Sequence, residues 1–193
     1  MNNPVWIDDK GKIVEPEYCR DFLSRHPMRC INDRFYTVDG QLPDENKLKR
    51  TIYEEISPWL HAKAAQTVEQ VIKALKLAAY ADPLPLQCDR IHVANGTYFL
   101  DGTFTEEKEY CSNRLPVSYQ TEAPAPEQWL RFLSELLEPE DIPALQEYLG
   151  YCLIPSTKGQ KMLMLIGKGG EGKSRIGVVM NAIFGLNMNT TSI

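Results

Sequence analysis

Helical spacing of apolar residues dominates this chain, interrupted by short runs that alternate as strands do. From Pro16 to about Arg25, Cys19, Phe22 and Leu23 share one helical face, and Pro16 suits a first turn. Leu48, Ile52 and Ile56 repeat the pattern, with Asp44 placed as an N-cap and Pro58 as a stop. Val68, Val71, Ile72, Leu75, Ala78 and Ala79 stripe a third helix over about 67–80, which Ala81-Asp82-Pro83-Leu84-Pro85 breaks. Pro4–Ile7 reads as a short strand before a turn at Asp8–Gly11. Strands are also expected within Met28–Val38, closed by Asp39-Gly40. The clearest hairpin is Arg90–Ala94 and Thr97–Gly102 around the Asn95-Gly96 dipeptide.

After a proline-rich connector at Thr121–Pro126, two more helices are expected. Trp129, Leu130, Leu133, Leu136 and Leu137 stripe the first; Ile142, Leu145, Leu149 and Cys152 stripe the second. They predict a packed helical pair. The next run, Lys161-Met162-Leu163-Met164-Leu165-Ile166, is apolar and strand-like, and a further helical pattern covers Arg175–Phe184. These elements predict an α+β N-terminal domain over 1–120, with helices and small antiparallel β elements. The helical pair and the start of an α/β phosphate-loop (AAA+-like) domain would follow over 121–193.

Composition narrows the class. Over 193 residues, 43% are hydrophobic and 24% charged, as in an ordinary globular protein. No apolar run reaches the length of a membrane span, and the N-terminus lacks a signal-peptide core, so no membrane partner is expected. Cys19, Cys30, Cys88, Cys111 and Cys152 are scattered and odd in number, which reads as reduced cytoplasmic thiols rather than a zinc site or disulfide framework. His26, His61 and His92 are equally dispersed and read as surface or hydrogen-bonding residues. A net charge of −5 argues against a dominant nucleic-acid footprint on this segment. The nearest basic patch, Lys47-Leu48-Lys49-Arg50, reads as a solvated helix face. The helices and hairpin before residue 120 permit a winged-helix-like unit, but with no basic recognition helix a plain structural domain fits better.

The candidate chemistry lies in Gly167-Lys168-Gly169-Gly170-Glu171-Gly172-Lys173-Ser174, a G-x-x-x-x-G-K-[ST] loop between the apolar run and the last helix. Glycines let the backbone wrap a phosphate at φ > 0. The N–H groups from about Gly170 to Ser174 form an anion nest backed by the positive end of the helix. Lys173 is expected to reach the β- and γ-phosphates of ATP, and the Ser174 hydroxyl to ligate Mg²⁺. Gly167, Gly169, Gly170, Glu171 and Gly172 complete the binding set. Glu171 is unusual in a phosphate cradle. Its carboxylate is expected to turn outward, with Lys168 and Arg175 offsetting its charge.

The order Asn95-Gly96, Leu115-Pro116-Val117-Ser118-Tyr119, Pro126-x-x-Trp129-x-x-Phe132-Leu133, Leu145-Gln146-x-x-Leu149-Gly150-Tyr151, Gln160-Lys161 and the phosphate loop resembles the phage and plasmid primase–helicases. More narrowly it is similar to their poxvirus-type N-terminal helicase-associated domain running into a superfamily 3 helicase, from about Ile7 to Gly185. The resemblance implies an ATP-driven hexameric ring that unwinds DNA to replicate a mobile element, in the cytoplasm of a bacterial or phage-infected host. The family commonly carries Asn where Glu171 stands, a departure that bears on ATP affinity.

The chain stops at Ile193, one helix beyond the loop, and is expected to be a fragment. An acidic Walker B pair, a sensor residue, an arginine finger and DNA-gripping hairpins would all lie beyond it, so no catalytic residue and no helicase-rate ATP turnover are expected here. A second reading makes the chain a stable remnant, an oligomerisation or partner-binding module with a vestigial loop. A third, a kinase or GTPase, fits poorly because residues 1–160 precede the loop, and those folds start near theirs. The apolar run at 161–166, without sheet neighbours, is expected to leave backbone groups and apolar surface exposed.

Overall fold

A computed structural model describes residues 4–189 and residue 191; Thr190, Ser192 and Ile193, among the residues read as following the last helix, lie outside them. The fold is α+β. Among the described residues there are six α-helices and two three-stranded antiparallel sheets, and the chain separates into two compact units, Met1–Leu84 and Pro85–Ile193. The division falls in the proline-rich break after the third helix, and Thr121–Pro126 lies inside the second unit.

In the first unit, α1 spans Glu15–Arg25 with Pro16 in its first turn, burying Tyr18, Cys19 and Phe22. Strands β1 (Arg29–Ile31), β2 (Arg34–Thr37) and β3 (Gly40–Gln41) form a meander. Asn32 and Asp33 turn β1 into β2 at φ 49° and 65°, the left-handed pair that a two-residue hairpin loop requires. Helix α2 (Glu45–Ile56) opens on Asp44, whose carboxylate accepts the Asn46 N–H at 2.8 Å, and passes into a 3-10 turn at Ser57–Trp59. Helix α3 runs Ala64–Ala78, so Ala79 lies beyond its end, buried, and Ala78 is exposed. Strand β1 is tied to that end, because Cys30 N–H donates to Ala79 O and Ala81 N–H to Cys30 O.

The helical stripes meet in one core around Trp6, Tyr18, Phe22, Ile52, Ile56 and Leu75. Trp6 sets its ring edge-on to Tyr18 at 5.2 Å. Arg25 and Tyr18 both hydrogen-bond Glu55, joining α1 to α2. On the outer side of α2, Lys49 pairs with Glu69 and Arg50 with Glu54, while Leu48 is buried. The basic tetrapeptide is therefore a helix face with two of its cations held by carboxylates. The expected strand at Pro4–Ile7 is instead a turn with a single bridge, Ile7 to Ile13. Asp8 Oδ1 accepts the Lys10 and Lys12 N–H groups, curling the chain before a ladder can form.

The second unit opens on β4 (Arg90–Val93), β5 (Gly96–Phe99) and β6 (Phe104–Thr105). Val93 pairs with Gly96, so the two-residue turn is Ala94-Asn95, one position before the expected Asn95-Gly96 turn, and Gly96 already belongs to β5. Gly96 also lets β6 come close to β5: a Cβ there would run into the Thr105 carbonyl. Helices α4 (Glu127–Leu136), α5 (Asp141–Cys152) and α6 (Lys173–Phe184) then meet through Leu133, Leu145 and Ile176. The predicted helical pair is present, with Pro143 tolerated in the first turn of α5.

Candidate functional site

Hydrogen bonding around the second sheet shows what several motif residues do. The Asn95 amide accepts the Tyr119 N–H at 2.8 Å and donates to the Tyr119 carbonyl at 2.9 Å. Leu115 N–H donates to His92 O, and Ala94 N–H to Val117 O, so the segment 115–119 lies along β4. Arg114, which nothing in the sequence marked out, is buried beneath the turn. Its guanidinium donates to the carbonyls of Val93, Gly96 and Glu109 at 2.6, 3.0 and 2.9 Å. His92 is buried, with Nε2 2.9 Å from Gln87 Oε1 and Nδ1 3.3 Å from Thr97 Oγ1, an arrangement that suits the Nε2–H tautomer. Burial, and then the positive charge of Arg114, push its pKa below the ordinary histidine value. These residues form a structural clamp rather than a reactive site.

The glycine loop is a separate feature of the same unit. Lys161–Ile166 approaches it with the alternation of a strand: Leu163 and Leu165 pack on the Leu133–Leu145–Ile176 cluster, while Met162, Met164 and Ile166 are 79, 67 and 86% exposed. It nevertheless belongs to no strand, which corrects the expectation. Side-chain alternation follows from one chain alone, but a strand needs a partner backbone to close its ladder, and no described segment pairs with this one.

Within the loop, Gly169, Gly170 and Gly172 take φ of 91°, 77° and 94°, the left-handed region that suits glycine. A Cβ on Gly169 or Gly170 would meet nothing, whereas one on Gly172 would stand 3.1 Å from the Phe132 ring. Gly172 is also the N-cap of α6 and brings no capping side chain, so Lys173 and Ser174 open the helix without a side-chain acceptor for its first N–H groups. Ser174 is exposed in the first turn.

Glu171 departs from expectation. Its carboxylate turns inward: Oε2 accepts from Lys173 Nζ at 2.7 Å, and Oε1 from the Lys168 N–H at 3.1 Å. The neutralising cation is thus Lys173, with Lys168 contributing its backbone, where Lys168 and Arg175 side chains were expected to compensate. Gly167 makes room, since a Cβ there would collide with the Glu171 carboxylate and crowd the Lys173 ammonium. The hydrogen bond from Lys173, then that from the Lys168 N–H, holds the Glu171 carboxyl below the usual carboxylate range. The structure thus gathers Gly167, Lys168, Glu171 and Lys173 at one point. Beside them, Pro126, Trp129, Phe132 and Arg175 line a shallow concavity; in sequence Trp129 read as part of a helical stripe, and Phe132 stood out only within the resembling motif.

No described helix is long and apolar enough to cross a membrane. The family model described as D5 N terminal like matches residues 17–138, covering the first unit from within α1 onward, the second sheet, the connector and α4, and ending ahead of the glycine loop. No curated protein matches the chain.

Proposed function

Because the chain belongs to the D5 N-terminal-like family, the N-terminal domain of primase–helicases, we propose that it serves a replicative DNA helicase of a phage- or plasmid-type element and binds ATP with Mg²⁺ at Gly167–Ser174. In this reading residues 121–193 carry the helical collar and the start of an α/β ATPase domain, which works as a hexamer on DNA in the cytoplasm of the host. The observation that supports it best is the run of left-handed glycines leading into an uncapped helix N-terminus with a lysine at its first position. That arrangement offers backbone N–H groups, a positive helix end and the Lys173 ammonium to a polyphosphate. Lys173 would hold the β- and γ-phosphates, and Ser174, exposed in the first turn, would reach a magnesium ion held by them.

Thermal unfolding with and without millimolar Mg·ATP tests this reading. Saturation at about a hundred times the dissociation constant adds ~2.7 kcal/mol, a shift of a few degrees that Lys173→Ala abolishes. Equal midpoints for both proteins with and without nucleotide would overturn it.

A second reading, an oligomerisation module, is favoured by the apolar row Met162, Met164 and Ile166, which faces water. A concentration-independent monomer by light scattering would remove its support.

A further inference from the structure

We propose that Glu171 is a tethered competitor for the anion site of the glycine loop, so that the loop admits polyphosphates and turns away singly held anions such as inorganic phosphate. This rests on the phosphate-binding reading above and sharpens it to a ligand class.

The loop offers an anion two kinds of donor, backbone N–H groups and the Lys173 ammonium. The Glu171 carboxylate already takes one of each, the Lys168 N–H at 3.1 Å and Lys173 Nζ at 2.7 Å. Gly167 leaves the space it folds into. The Glu171 side chain is still 43% exposed, so the contact is a reversible one at the surface rather than part of a core. A displacing ligand must supply charge for Lys173 and also reach donors that Glu171 leaves open, such as the N–H groups at the start of α6. A di- or triphosphate spans that distance and brings several charges. A lone phosphate competes for the same two donors against a carboxylate that is always present, and it must also sit beside the displaced negative charge. Glutamine at this position keeps the size and the backbone N–H; its amide oxygen competes more weakly for the two donors, and the charge repulsion is gone.

The test is isothermal titration of the 193-residue chain with Mg·ATP and, separately, with inorganic phosphate, on the native protein, Glu171→Gln and Lys173→Ala. We expect Glu171→Gln to bind Mg·ATP roughly two- to fivefold more tightly, the scale of losing one exposed ion pair. We also expect it to gain measurable phosphate binding that the native chain lacks, while Lys173→Ala binds neither. Binding of Mg·ATP by Glu171→Gln alone, with the native protein silent, would overturn the admission of polyphosphates, because Glu171 would then close the loop to every anion. Equal or weaker ATP binding by Glu171→Gln, with Lys173→Ala inactive, would overturn the competitor and leave the phosphate site standing. Tighter ATP binding without any for phosphate would overturn the discrimination between anions. No binding by either the native chain or Glu171→Gln would overturn the phosphate site and the proposal together.

Discussion

Asn95 exchanges both hydrogen bonds of its side-chain amide with the backbone of Tyr119, at 2.8 and 2.9 Å, as a neighbouring strand residue would. A turn side chain thereby takes the place of a β-ladder step and fastens the 115–119 segment to the hairpin. The Tyr119 ring then packs between Tyr98 and Phe104, each 4.9 Å away.

Asn95→Ala removes both bonds and is expected to destabilise the protein by about 1–3 kcal/mol, measured by urea unfolding. Asn95→Asp keeps the acceptor for Tyr119 N–H but turns an oxygen toward the Tyr119 carbonyl. It should be at least as damaging as alanine; an aspartate variant of native stability would show that the exchange does not hold the segment.

Arg114 satisfies three carbonyls from inside the fold. Arg114→Met should cost about 2–4 kcal/mol, because buried acceptors lose their donors while the volume is nearly kept. Arg114→Lys should not restore stability, since one ammonium cannot reach three separated oxygens as a planar fork does. Rescue by lysine would mean that charge, not geometry, is what the site needs.

His92 gives a pH signature. Its folded pKa lies below the unfolded value, so the unfolded chain takes up a proton that the fold resists. The resulting stability is complete above about pH 6.5 and is lost as pH falls from there through the folded pKa. Between pH 7.5 and 5.5 the native protein should lose more stability than His92→Gln. Parallel losses would rule out His92 as the source. Glu55 acts lower on the scale. The hydrogen bond from Arg25, and then that from Tyr18, hold its carboxyl below the usual range, so its contribution is present above about pH 4.3 and disappears as pH falls through the folded value.

The two faces of 161–166 should respond oppositely to substitution. Leu163→Ala or Leu165→Ala removes contacts with the Leu133–Leu145–Ile176 cluster and should cost about 1–2 kcal/mol, less than a fully buried leucine. Thr in place of Met162, Met164 or Ile166 should change urea stability by less than about 0.5 kcal/mol. Equal losses on both faces would contradict the alternation.

Much of the fold could be read from one-dimensional pattern. Apolar spacing located α1, α2, α4 and α5 because a helix buries a stripe that its own 3.6-residue period defines. Asp44 was legible as a cap because its partner, the Asn46 N–H, is two residues away. Gly169, Gly170 and Gly172 were legible for the same reason, since φ > 0 is a local demand. The Asn32-Asp33 turn was missed because neither residue is glycine, though both types tolerate the left-handed region.

What the tertiary structure decided involves residues far apart in the chain or free to choose between partners. The close approach of β6 to β5 depends on the bare Gly96 beneath the Thr105 carbonyl, and Arg114 acquires its role only when three carbonyls converge on it. The alternation in Lys161–Ile166 is a property of that segment, but strand pairing belongs to two backbones at once, and the sequence of one cannot supply the other. Glu171 is the finest case. The sequence expectation of an outward side chain rested on repulsion from an expected phosphate, whereas in the folded loop the carboxylate pairs with the Lys173 ammonium, a partner that only the fold brings to it.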